Sequence, residues 1–139
     1  MPKKHYQGSC HCKAVRYEAD LDLAKGTQRC NCSLCWKARA WFAFAGDDDF
    51  KLLTSPEEMG EYRWTPAGHP APFLTYAFCK QCGVRIYATG DHESMGGRFY
   101  ALHIPTLDVD RDELVAAPLK FYDNLHDRPD REPEDIRLL

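Results

Sequence analysis

Nowhere does this chain approach the run of about 18 apolar residues that a membrane-spanning helix needs. Behind the basic opening Met1-Pro2-Lys3-Lys4-His5-Tyr6 there is no apolar stretch of the kind a secretory signal carries. Positive charge is scarce: 18 Lys and Arg against 21 Asp and Glu leave a net charge of −3. That removes the basic field on which generic binding to nucleic acid or to an anionic membrane depends, and neither is expected as a partner. No internal repeat, low-complexity tract or linker precedes residue 127. The 139 residues are therefore read as one domain, 1–139, ending in a charged tail at 127–139 expected to lie extended on the surface or to fray. Without a signal, the expected location is a reducing compartment, the cytoplasm by default. There, clustered thiols bind metal rather than pair.

What the sequence does contain is short strand-like segments. In Ala14–Ala19 the alternation puts Val15 and Tyr17 on one face. Trp41–Ala45, closed by Gly46 and an acidic turn at Asp47–Asp49, reads as a second strand. Phe73–Phe78, Val84–Thr89 and Phe99–Ile104 read as three more, each rich in aromatic or β-branched residues. Ser33–Arg39 is expected to be a short helix capped by Ser33, with a further helical turn at Asp110–Ala116. The fold class is mainly β: packed antiparallel sheets with short helical turns.

Seven cysteines is an odd number, and most lie as Cys-x-Cys or Cys-x-x-Cys, spacings that strain a disulfide but suit a metal. They form three groups: Cys10-His11-Cys12, Cys30-Asn31-Cys32-Ser33-Leu34-Cys35, and Cys79-Lys80-Gln81-Cys82-Gly83. In an extended chain, residues i and i+2 share a face, so each Cys-x-Cys can present two thiolates together, with His11 and Asn31 turned away. Cys79-x-x-Cys82-Gly83 has the form of a zinc knuckle at a hairpin tip, its glycine free to take positive φ. Tetrahedral structural zinc takes four ligands. Pairing the two doublets gives a closed site of Cys10, Cys12, Cys79 and Cys82, and leaves Cys30, Cys32 and Cys35 as a three-thiolate cluster with an open position, the pattern of a catalytic zinc. Spacing alone leaves three alternatives standing. The second cluster can be buried and inert; a histidine (His5, His11, His69, His92, His103 or His126) can complete it; or Cys30 and Cys32 can join Cys79 and Cys82.

The run Gly8-Ser9-Cys10-His11-Cys12-Lys13-Ala14-Val15-Arg16-Tyr17, followed by Cys30-Asn31-Cys32-Ser33-Leu34-Cys35 and Phe78-Cys79-Lys80-Gln81-Cys82-Gly83, closely resembles the glutathione-dependent formaldehyde-activating enzyme family, which also includes centromere protein V. The resemblance covers roughly residues 5–105, with all seven cysteines matching. The segments Asn124–Arg128 and Arg137–Leu139 resemble, less specifically, the end of a bacterial subgroup. It implies a β-tent fold stapled by zinc, with two ions: a structural one on Cys10, Cys12, Cys79 and Cys82, and a catalytic one on Cys30, Cys32 and Cys35. The chain departs from the family at Lys13, where a glycine is common.

The implied chemistry follows from charge. Zinc with three thiolates carries a formal −1, a weak Lewis acid that still binds a fourth thiol in ionised form. The expected activity is that of a zinc-dependent carbon–sulfur lyase that forms or cleaves S-hydroxymethylglutathione from glutathione and formaldehyde, a detoxification reaction. A non-catalytic zinc-stapled binding module, or a related lyase for another thiol or aldehyde, are the alternatives. Lys37 and Arg39, just after Cys35, are the expected cationic contacts for the carboxylates of glutathione, set against ordinary solvated surface. Trp36 and Trp41 are candidate walls, with plain core packing the stronger reading for Trp41. His92, His103 and His126 are candidate proton shuttles.

Overall fold

Val15 and Tyr17, expected on one face of a strand, are both fully buried, and the strand they announce is the centre of the smaller of two sheets. The computed structural model describes residues 3–65, 68, 74–126, 128 and 130–139; His69 and Phe73 lie outside the described residues. The strands are β1 (Lys4–Ser9), β2 (Arg16–Leu21), β3 (Thr27–Cys30), β4 (Trp41–Gly46), β5 (Phe50–Leu52), β6 (Met59–Trp64), β7 (Leu74–Cys79), β8 (Arg85–His92), β9 (Gly97–His103), β10 (Leu107–Asp108) and β11 (Leu119–Tyr122). A four-stranded sheet runs β10-β1-β2-β5 and a seven-stranded sheet runs β11-β3-β4-β9-β8-β7-β6. All pairings are antiparallel except β11 with β3. The mainly β expectation agrees with this architecture.

The two faces of the seven-stranded sheet differ in kind, and side-chain alternation is the reason. One face turns Ala43 and Ala45 of β4, Ile86 of β8 and Leu102 of β9 toward Tyr6, Tyr17, Ala19 and Leu21 of the smaller sheet, forming the main core. Small residues on β4 leave room for Tyr17. Its ring also lies so close to Gly8 that a Cβ there would fall 2.3 Å from it, and its hydroxyl finds Thr106 Oγ1 at 2.8 Å. The opposite face carries Phe42, Phe44, Tyr76, Ala88, Phe99 and Ala101, which wall a cavity instead.

Several boundaries move from those the sequence suggests. The helix is α1 (Ser33–Ala38), and its N-cap is Cys32 rather than Ser33: the Cys32 sulfur accepts from Cys35 N. Cys10 and Cys12 sit on the turn between β1 and β2, not on a strand. The helical turn near residue 110 is α2 (Arg111–Ala116), capped by the Asp110 carboxylate. Near the chain's end Ile136–Leu138 forms a 3-10 turn, and Leu139 is buried.

Candidate metal centres

Two turns from different sheets meet at the first cluster. The β1–β2 turn brings Cys10 and Cys12, and the β7–β8 turn brings Cys79 and Cys82, so that the four sulfurs lie within 4.8 Å of one another. Cys12 Sγ stands 3.6 Å from both Cys10 Sγ and Cys79 Sγ. Thiolates at about 2.3 Å from a tetrahedral zinc would be about 3.8 Å apart, so the donor set fits such an ion. Backbone amides point at the sulfurs: Val15 N at Cys10 Sγ (3.4 Å), and Gln81 N and Cys82 N at Cys79 Sγ (3.4 and 3.5 Å). Such donors stabilise the ionised form of a ligand. Both turns need left-handed backbone. Gly83 supplies it at φ 76°, and Lys13 adopts φ 67° although it has a side chain.

The second cluster is local. Cys30 ends β3, Cys32 caps α1 and Cys35 lies within α1, and their three sulfurs also fall within 4.8 Å of one another. Cys32 N donates to Cys30 Sγ (3.4 Å) and Cys35 N to Cys32 Sγ (3.3 Å). Hydrogen bonds from Cys32 and Cys35 hold the Cys30 thiol far below its ordinary range, while those with Cys30 and Cys32 push Cys35 well above it. Three neighbouring sulfurs that cannot all ionise by themselves suit a divalent cation. Among the described residues no histidine, aspartate or glutamate joins this group, and the two cysteine clusters are separate.

A network from the far end of the chain, centred on the buried Asn31 and Asp123, contacts this cluster. Asn124 Nδ2 donates to Cys30 Sγ at 3.1 Å. Asn31, between the first two cysteines, donates from Nδ2 to Asp123 Oδ1 (2.9 Å) and accepts from Leu125 N at Oδ1 (2.9 Å). Asp123 is 1% exposed and also receives Arg131 Nη2 (3.0 Å) and His126 Nδ1 (2.9 Å). The Asn31 hydrogen bond leads the interactions that hold its carboxyl down at about 2.

The three cysteines stand at the wall of a cavity of about 790 Å³. Its remaining lining is mostly apolar and rich in aromatic rings, among them Phe42, Phe44, Trp64, Tyr76, Phe99 and Tyr122, and its polar groups include Gln28, Arg85, His92, His103 and Asn124. Burial above all, reinforced by Arg85 and Arg29, pushes His103 down to about 4, so it is neutral at physiological pH. Tyr76 is pushed up, chiefly by burial, and keeps its proton beside Cys35.

Of the other residues singled out in the sequence, Lys37 and Arg39 are exposed and do not line the cavity. The Arg39 guanidinium donates to the Leu139 carbonyl (2.9 Å) and lies over the Trp36 ring. Trp36 is 39% exposed, and Trp41 packs against the core, donating to Thr27 Oγ1. His126 is held by Asp123 and is not in the lining. The sequence assigns Arg85 no role, and Asn124 only a place in the tail segment Asn124–Arg128. Arg85 is hidden in a strand segment, and Asn124 is separated by 94 residues from the sulfur it serves.

Comparison with known proteins gives a consistent picture. The family model described as glutathione-dependent formaldehyde-activating enzyme matches residues 5–123. An uncharacterized lyase of Schizosaccharomyces pombe is 29% identical over 84 residues, 59% of this chain and 56% of that protein. A putative glutathione-dependent formaldehyde-activating enzyme of Halomonas elongata is 29% identical over 85 residues, 58% of this chain and 54% of that protein. The chain thus spans about half the length of the curated relatives it matches. A crystal structure of a Rhodobacter sphaeroides protein superposes with a TM-score of 0.64 at 25% identity, over 81% of this chain and 98% of that one.

Proposed function

The chain belongs to the glutathione-dependent formaldehyde-activating enzyme family, and from that premise we propose that it is a zinc-dependent carbon–sulfur lyase joining a thiol to an aldehyde, with glutathione and formaldehyde the leading pair. The observation that carries this reading is the three-sulfur cluster with no fourth protein donor among the described residues, set in the wall of a cavity large enough for a tripeptide thiol. Zinc held there by Cys30, Cys32 and Cys35 would supply a means of keeping an incoming thiol ionised at neutral pH. In the reaction the thiol sulfur forms a bond to the carbonyl carbon, the carbonyl π pair moves to oxygen, and that oxygen takes up the proton the thiol lost. The reverse breaks the same carbon–sulfur bond.

The chain's own residues have separable tasks in this scheme. Asn124 and the amides of Cys32 and Cys35 orient the sulfurs and share their negative charge. The aromatic walls exclude water from the adduct. Tyr76, protonated beside Cys35, is the candidate donor to the oxygen that develops charge. Neutral His103 can hold or pass a proton within the cavity. Lys37 and Arg39 remain outer candidates for a substrate carboxylate.

The closed cluster at Cys10, Cys12, Cys79 and Cys82 is assigned to a second, structural zinc. The two sheets are read as the family's β-tent in a single domain over 1–139, with 127–139 as its tail, working in a reducing compartment such as the cytoplasm. Exchange NMR on a mixture of zinc-loaded protein, glutathione and formaldehyde tests the function. Exchange faster than the spontaneous rate is expected. An unchanged rate would leave a zinc-stapled binding module, or a lyase for another pair, as the reading.

A further inference from the structure

We propose that Arg85 is the anion-reading residue of the cavity: it receives a carboxylate carried by the substrate and makes the site selective for an acidic thiol–aldehyde pair over a neutral one. This rests on the lyase reading of the same site and goes beyond it by naming the group that is recognised.

Arg85 opens β8, lies opposite Phe78 in the sheet register, and lines the cavity. Its guanidinium carbon sits 4.3 Å from the centre of the Tyr76 ring. Nη1 is buried without a hydrogen-bond partner. Arg63, Arg98, Arg128, Arg131 and Arg137 each have a carboxylate partner; among the described residues Arg16, Arg29, Arg39, Arg85 and Arg111 have none, and of these Arg85 alone lines the cavity. Nor is one nearby in the lining, which among the described residues contains no aspartate or glutamate and, besides Arg85, no lysine or arginine. A fixed cation in a mostly apolar cavity, with a donor left over, is costly unless an anion arrives to meet it. The stacking on Tyr76 holds the guanidinium plane but cannot satisfy its N–H groups. A planar carboxylate can, through two parallel hydrogen bonds to the fork.

The competing counter-charge is the cysteine cluster itself. Tyr76 shares the cavity lining with Cys35, and its ring lies under the guanidinium. No cysteine sulfur takes a hydrogen bond from Arg85; the side-chain amide at Cys30 comes from Asn124. A substrate with sulfur at one end and a carboxylate at the other would therefore bridge the cluster and Arg85. The carboxylate can belong to the thiol, as in glutathione, or to the aldehyde, as in a 2-oxo acid such as glyoxylate.

The test compares zinc-loaded wild-type protein with Arg85→Met, which keeps the stacked bulk, and Arg85→Lys, which keeps the charge but not the fork. Calorimetric titration with glutathione, with its diethyl ester, and with glyoxylate in the presence of 2-mercaptoethanol gives affinities independent of turnover. The expected result is a loss of about ten- to a hundredfold for the acidic probe in Arg85→Met, with partial recovery in Arg85→Lys and no change for the ester. A loss confined to glutathione places the acid on the thiol, and one confined to glyoxylate places it on the aldehyde. Equal affinities across all three proteins overturn the proposal. So does an effect seen only in bound zinc, which would make Arg85 a counter-ion of the cluster. Arg85-dependent binding by a protein that never accelerates exchange would remove the lyase reading and leave this one in place.

Discussion

Asn124 donates its side-chain amide to the sulfur of Cys30 across 3.1 Å, joining residues 94 positions apart. Groups that hydrogen-bond a metal ligand set its basicity and aim, and their loss typically weakens a metal about 10- to 100-fold. Asn124→Ala should weaken metal retention at the three-cysteine cluster by about that factor, and chelator competition would read it. Release at the wild-type rate would reduce the contact to packing.

The two clusters should respond differently to losing a sulfur. Cys32→Ala is expected to cost about one zinc per chain while the fold persists, because that cluster is confined to one strand end and one short helix. Cys79→Ala should undo the link between the sheets and lower thermal stability sharply. Metal analysis alongside circular dichroism separates the two. Unfolding of Cys32→Ala would assign a structural task to its cluster too.

Asp123 gathers Asn31, His126 and Arg131 around a carboxylate that is 1% exposed. Asp123→Ala strands the Asn31 amide without its acceptor and frees Arg131, while the tail loses its anchor. Its melting temperature should fall by several degrees, and limited proteolysis should cut first after residue 123. Wild-type protection of that segment would rule out the anchoring role.

His103 is neutral when folded, with its pKa pushed from 6.5 to about 4 by burial and then by Arg85 and Arg29. The unfolded chain therefore binds a proton that the folded chain refuses, and stability falls as the pH is lowered from 6.5 toward 4, then levels off. The full effect is about 3 kcal/mol at one pKa unit per 1.36 kcal/mol. His103→Gln should flatten this part of the denaturation profile. An unaltered slope would trace the acid sensitivity to groups other than His103.

Lys13 pays for its left-handed φ of 67° with steric strain that a glycine would not feel. Lys13→Gly should stabilise the protein by about 1 kcal/mol, visible as a rise in the urea midpoint.

The grouping within each cysteine motif was legible in the sequence because ligand spacing is local, but which doublet meets which was not: spacing left Cys30 and Cys32 free to join Cys79 and Cys82, and it was the family resemblance that implied the partition the structure displays. Strands with a hydrophobic signature, such as the one holding Trp41 to Ala45, were legible because their pattern is local too. Others were not. β1 has one buried aromatic, Tyr6, among polar residues, and β6 exposes Glu61, Tyr62 and Arg63; both are strands because a neighbour offers them a ladder. The cavity was equally hidden. Its wall gathers residues from strands, turns and α1 far apart in sequence, and Lys37 and Arg39 looked close to the cluster only along the chain. Cys32 as a helix cap shows a further limit. A cysteine sulfur can accept the capping hydrogen bond in place of a serine oxygen, and cysteine is not a residue that caps are expected to carry.

The spacing of the clusters also orders events in time. Cys30, Cys32 and Cys35 span six residues, so a nascent chain can gather them, and an ion, as soon as that segment leaves the ribosome. Cys10 and Cys12 must wait for Cys79, 67 positions beyond Cys12, and for two separate hairpin turns to meet. Under scarce metal the three-cysteine cluster would fill early in synthesis, while the four-cysteine cluster between the sheets would be the last to close.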